Sequence, residues 1–249
     1  MGRDVQAQII AFREMSAQGK DIKAQIAKND TPEFLAELAK APNWAVYYQE
    51  SFETVMARFF IMTQSVEMIS KLAEQEFPSD TAKLEVDEYF KGKETSEHPQ
   101  FLSLFFAMQG NIEAITRFSC TMNDLLKRFE NDQCIESLAK AASIDTAILS
   151  LPASQRLMKF LQFSGKTEAL LEFFRFVGKG PHKTREPYQD LRWAEYLLRE
   201  QKAFDVCSQD EIFDLLVNGL KIYGNDGEHK DSKKALFMLF RKWRKESGN

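Results

Sequence analysis

An all-helical fold follows from three observations on this chain. Apolar residues recur at alternating spacings of three and four along its two longest segments, the mark of a helix face packed in a bundle. Caps and proline or glycine breaks punctuate the sequence from end to end. No stretch combines period-two alternation with β-branched enrichment, so no strand is predicted. The expected architecture is a multi-helix bundle with two long core helices and a C-terminal set of shorter helices. The 249 residues suffice for one large or two modest cores. An apolar content of 44% with 28% charged residues belongs to a folded chain, not a disordered one. Twenty-one phenylalanines predict a core built on aromatic packing.

Residues 4–28 read as one or two helices, weakest at Gly19. Asp30-Thr31-Pro32-Glu33 supplies a cap, a first-turn proline and an early carboxylate, starting a short helix to about Lys40. Pro42-Asn43 restarts the chain into the first long segment. There Phe52, Val55, Phe59, Met62, Val66, Ile69 and Ala73 form a narrow seam of the coiled-coil type. Phe77-Pro78 ends it, and a short amphipathic helix runs to about Lys91. Past Pro99 a second seam of Phe101, Phe105, Met108, Ile112, Ile115, Met122, Leu126 and Phe129 has Ser119 as its one polar break. The two long helices are expected to pack side by side. Shorter helices follow at about 134–142, 145–150, 153–164, 166–177, 186–203, 209–223 and 231–246, separated by Gly165, the Gly178–Pro181 loop and Gly224.

Charge divides the chain into two regions, which can also form one continuous domain. Residues 1–133 carry 14 Lys and Arg against 21 Asp and Glu, a balance of −7. Residues 134–249 carry 19 against 16, a balance of +3, and together they give the net −4. An acidic bundle followed by a basic region points to a polyanion. The basic excess peaks in the last helix, where Lys230 to Lys245 holds seven cations and one acid. On a helical wheel Ala235, Leu236, Leu239, Phe240 and Trp243 make an apolar arc. Lys233, Lys234, Arg241, Lys242, Arg244 and Lys245 spread over the other half, with Phe237 and Met238 among them. Such a face can neutralise phosphates of a nucleic acid, lie on an anionic membrane or dock on an acidic protein surface.

The loop Gly178-Lys179-Gly180-Pro181-His182-Lys183-Thr184-Arg185 adds Lys179, Lys183 and Arg185 as candidate anion contacts. It is no Walker loop: His182 stands where glycine is required before the lysine, and helix, not strand, precedes it. Arg175 and His182, spaced R-x6-H, resemble the loose edge of the R-x4-6-H pattern of HEPN-type ribonucleases, which are also all-α. The resemblance covers these two residues, and Phe176 replaces the polar residue common after the arginine. It implies that His182 acts as general acid/base and that Arg175 stabilises phosphate charge.

Neither cofactor nor metal is expected, because His98, His182 and His229 fit no ligand spacing. Cys120, Cys134 and Cys207 form an odd, widely spaced set that predicts thiols in a reducing, cytoplasmic setting. The segment MGRDVQAQII lacks an apolar core, so a leader peptide is not expected. No apolar run is long enough to span a bilayer. The function expected is non-enzymatic: a helical binding protein that contacts nucleic acid or another polyanion through its basic C-terminal surface, as part of a larger assembly. The alternatives are a protein–protein adaptor and a metal-independent HEPN-like ribonuclease. The two seams also offer a route to homo-oligomers.

Overall fold

The computed structural model describes residues 42–67, 99–180, 186–224 and 232–246, with the single positions 24, 28, 31, 32, 36 and 88. The helices expected over 4–28 and 30–40 and between Pro78 and Lys91 therefore lie outside the described residues, as do His98, His182 and His229. Ala24, Lys28, Pro32, Ala36 and Glu88 are helical positions within those stretches. Among the described residues every regular element is a helix, and none is long and apolar enough to cross a membrane.

The order begins with a 3-10 turn, Trp44–Gln49, capped by the Asn43 side chain. It continues with α1 (Phe52–Met62), α2 (Pro99–Phe118), α3 (Met122–Asp132) and α4 (Ile135–Ile144). A second 3-10 turn, Thr146–Ser150, leads to α5 (Pro152–Phe163) and α6 (Thr167–Lys179). After α7 (Glu186–Glu200) come the short α8 (Ala203–Val206) and α9 (Gln209–Asp214), and α10 (Ser232–Glu246) closes the chain. α9 opens on a capping box in which Ser208 and Glu211 satisfy each other's backbone N–H groups. It then widens into a π turn at Leu215–Gly219, where Leu220 N–H donates to the Leu215 carbonyl.

α2 is the central element, and α1, α3, α4, α7 and the first 3-10 turn all lean on it. It is buried nearly all round from Ser103 to Thr116, which explains its apolar sequence. Its inward polar groups are bonded. Ser103 donates to the Pro42 carbonyl, Asn111 donates to the Ala107 carbonyl, and the Asn111 side-chain oxygen accepts from Met122 N–H. One hydrophobic cluster runs from Ala45 to Trp243, joining the acidic and basic parts of the chain.

The first expected long helix is shorter in the structure, and the second is two helices. α1 stops at Met62: Thr63 folds back to bond the Phe59 carbonyl, and Gln64 takes a left-handed φ of 53°. Val66 is consequently exposed, and Ile69 and Ala73 lie outside the described residues. The second segment breaks at Ser119, whose φ is 54°. There Thr121 and Asp124 form a capping box that starts α3. At this corner Arg199 Nη2 donates to the Ser119 carbonyl at 2.8 Å. The seam residues keep their inward direction, because α3 turns with its apolar side still on the core. Phe52, Val55, Phe105, Met108, Ile112, Ile115, Met122, Leu126 and Phe129 are all buried in the chain's own interior.

The phenol end of Tyr48 packs against the backbone of α2 at Gly110, where a β-carbon would overlap the Tyr48 hydroxyl. Alanine ordinarily stabilises a helix interior by about 1 kcal/mol over glycine. Gly110→Ala should instead lose about 1–3 kcal/mol through overpacking. In a Tyr48→Phe background the same substitution should cost less, because the colliding oxygen is gone. Chemical denaturation of the four members of that cycle gives the coupling directly.

Candidate polyanion-binding surface on the C-terminal helix

α10 seats its apolar side deeply. Leu236, Phe237, Phe240 and Trp243 are buried, with Phe240 edge-on to Phe204 and Trp243 edge-on to Tyr188. Two arginines lock this seat from opposite partners. The Arg192 guanidinium lies 4.4 Å from the Trp243 ring centre, and that of Arg244 lies 4.0 Å from the Phe204 ring. Arg244 Nε also faces the Glu195 carboxylate at 3.5 Å.

The buried arc therefore sits about one residue further round than the sequence places it. Phe237, assigned above to the basic half, is in the core, while Ala235 is exposed. With that rotation Arg244 moves to the flank and Lys233 turns towards α9, where its Nζ pairs with Asp210 at 2.6 Å. Lys234, Arg241, Lys242 and Lys245 remain on the solvent side, with the exposed Met238 between them. Among the described residues no carboxylate pairs with Lys234, Arg241 or Lys245. The stripe spans twelve residues from Lys234 to Lys245, about 16 Å at the helical rise.

Of the loop candidates, Lys179 is exposed at the end of α6, and Arg175 is exposed on the same helix. Lys183 and Arg185 lie outside the described residues, as does His182, the partner proposed for Arg175. Trp44, Tyr47 and Tyr48 belong to the core: Trp44 packs on Phe106 with ring centres 4.9 Å apart. Among the described residues no group of His, Cys, Asp or Glu could hold a metal ion. All three cysteines are thiols, and burial pushes that of Cys120 up to about 12.

A buried charge cluster beneath α10 was not anticipated. Glu195 is wholly inaccessible, yet Arg199 Nη1 lies 3.4 Å and Arg244 Nε 3.5 Å from its oxygens. Burial raises its carboxyl from the usual 4.5 to about 7; Arg199, Arg244 and Arg192 pull it down, and Glu200 adds to the rise. Desolvation wins over attraction because the approaches are long and the site is dry. The one signal in the sequence is that Arg192, Glu195 and Arg199 share a face of α7 with the apolar Leu191 and Leu198; it does not distinguish burial from a surface charge row.

The pH consequence has a definite sign. A folded-state value near 7 against 4.5 unfolded means that the native state holds the extra proton. The associated stability is complete below about pH 4.5 and is lost as pH rises through about 7, amounting to roughly 3 kcal/mol by linkage. Glu195→Gln should match the parent near pH 4 and exceed it near pH 8, the two unfolding curves diverging in between. Parallel curves at all pH values would show that the Glu195 carboxyl titrates alike in the folded and unfolded chain. No known protein family, curated protein or solved structure matches the chain, so the meaning of this surface rests on its own geometry and charge.

Proposed function

We propose that this protein acts by binding, with the outer stripe of α10 contacting nucleic acid or another polyanion, as one subunit of a larger assembly. The observation that carries the reading is the split of the basic residues on α10. Arg244 and Lys233 are engaged within the fold, while Lys234, Arg241 and Lys245 face solvent with no carboxylate paired to them among the described residues. A surface salt-bridge network would have dispersed those three cations among acids. An anchored helix with such an outer face presents a rigid row of charge, and rigidity lowers the entropy lost on binding. The row of about 16 Å covers roughly five nucleotides of one strand at about 3.4 Å each. Lys179 at the end of α6 is a further exposed cation for the same class of ligand.

Reversing Lys234, Arg241 and Lys245 to Glu leaves the buried arc untouched, so stability should move by less than about 1 kcal/mol. Affinity for a fluorescent oligonucleotide should collapse. The slope of log affinity against log salt should flatten by roughly 0.7 to 0.9 for each phosphate that is no longer neutralised. Absence of binding by the parent protein at low salt would overturn the reading and leave a protein–protein adaptor in its place.

A further inference from the structure

Helices α5 and α6 form a hairpin with apolar residues on two sides. Leu161 and Phe173 are buried, and Leu157, Met158 and Val177 pack on the core beside them. On the outside Phe163 is 84% and Phe160 56% exposed, and Leu171 and Phe174 on α6 are about half exposed. A helical pair that serves only its own core needs apolar residues on one side, and a second apolar surface calls for a second apolar phase.

The turn between the helices stands clear of the rest of the described chain. Every residue from Gln162 to Ala169 is exposed, and a β-carbon added at Gly165 would meet no atom within 4 Å. Exposed cations collar the phenylalanines: Arg156 and Lys159 on α5, and Lys166, whose Nζ lies 5.3 Å from the Phe160 ring centre. Residues 152–180 carry five cations (Arg156, Lys159, Lys166, Arg175, Lys179) against Glu168 and Glu172, within a protein of net charge −4. Phe163 is the most exposed of the large apolar side chains among the described residues, so the tip projects. A cleft of about 410 Å³ between α3 and α5 reaches Phe160 but leaves Phe163 outside it.

We propose that this turn docks on an anionic lipid surface, with Phe160 and Phe163 entering the headgroup–acyl boundary while Arg156, Lys159 and Lys166 meet the lipid anions. A fluid bilayer accepts a projecting apolar tip without a matching pocket, and the basic collar selects an anionic leaflet. A second copy of the chain would bring the same positive excess against itself, which disfavours that occupant. The proposal is independent of the stripe on α10.

The test is flotation of the full chain with vesicles of phosphatidylcholine alone and with about a third phosphatidylserine. The expected result is capture by the anionic vesicles only, weakening as salt rises. Phe160→Ser with Phe163→Ser should reduce that capture at least about ten-fold while the melting temperature holds, since both rings are largely in solvent; the single Phe163→Ser serves if the double variant misfolds. Phe163→Trp should gain a blue-shifted emission on anionic vesicles beyond that of the parent. The triple reversal on α10 should retain most of the capture, so failure of this proposal and of the polyanion reading are separate results. Equal capture of parent and serine variants, capture abolished only in the α10 variant, or no capture at low salt would each overturn it. So would a parent dimer in light scattering that the serine variants convert to a monomer.

Discussion

The carboxylate of Asp145 is the joint on which the core depends. It accepts from Trp44 Nε1 and from the Tyr48 hydroxyl, both at 2.6 Å, and its other oxygen caps the turn 146–150 through Ala147 N–H. One charged acceptor thus ties together the start of the described chain, the end of α4 and the entry to α5. Charge-assisted bonds of this kind are roughly twice as strong as neutral ones. Losing the acceptor would also strand the indole N–H, which costs more than the bond itself contributes. Tyr48 then passes the constraint on. Its phenol, pushed up by burial and next by Asp145, stays a donor, its ring presses on Gly110, and its carbonyl accepts from Asn123 of α3.

The C-terminal half is fixed to that frame by arginines. Arg199 reaches from α7 to the Ser119 carbonyl at the α2–α3 corner, and Arg244 reaches from α10 to Glu195. Both guanidiniums also lie over aromatic rings, Tyr196 and Phe204 respectively. A lysine could replace either charge but not the planar stacking and the fork of donors together. Basic residues therefore do two different jobs in one short stretch, and only the outward set is available for a ligand.

Local chemistry made most of the helices readable. The capping box at Ser208, the turn after Asn131-Asp132 and the glycine at 165 mark ends that the structure keeps. From Phe52 to Met62 and from Phe101 to Phe129 the seams predicted which residues point inward, because burial and periodicity express the same requirement, whereas Val66 is exposed. Helix continuity was not readable from the seams. A heptad pattern can bridge a corner when the following helix turns with its apolar side still on the core, as it does at Ser119. The capping box Thr121-x-x-Asp124 was present in the sequence and marks that corner. On α10 the wheel failed by about one residue because Phe237, Leu239 and Ala235 are alike to a pattern. Only the partners Tyr188, Arg192 and Phe204, distant in sequence, decide among them. Glu195 escaped notice because a carboxylate on a charged helix reads as surface until its surroundings are known.

Cys120 sits at the α2–α3 corner, buried next to the carbonyl that Arg199 holds. Only the thiolate reacts with alkylating reagents, and burial lifts this thiol to about 12, so the closed fold keeps the sulfur silent. It becomes reactive only when local opening brings the sulfur to solvent. Its labelling rate, set against those of the half-buried Cys134 and Cys207, is a clock on that opening.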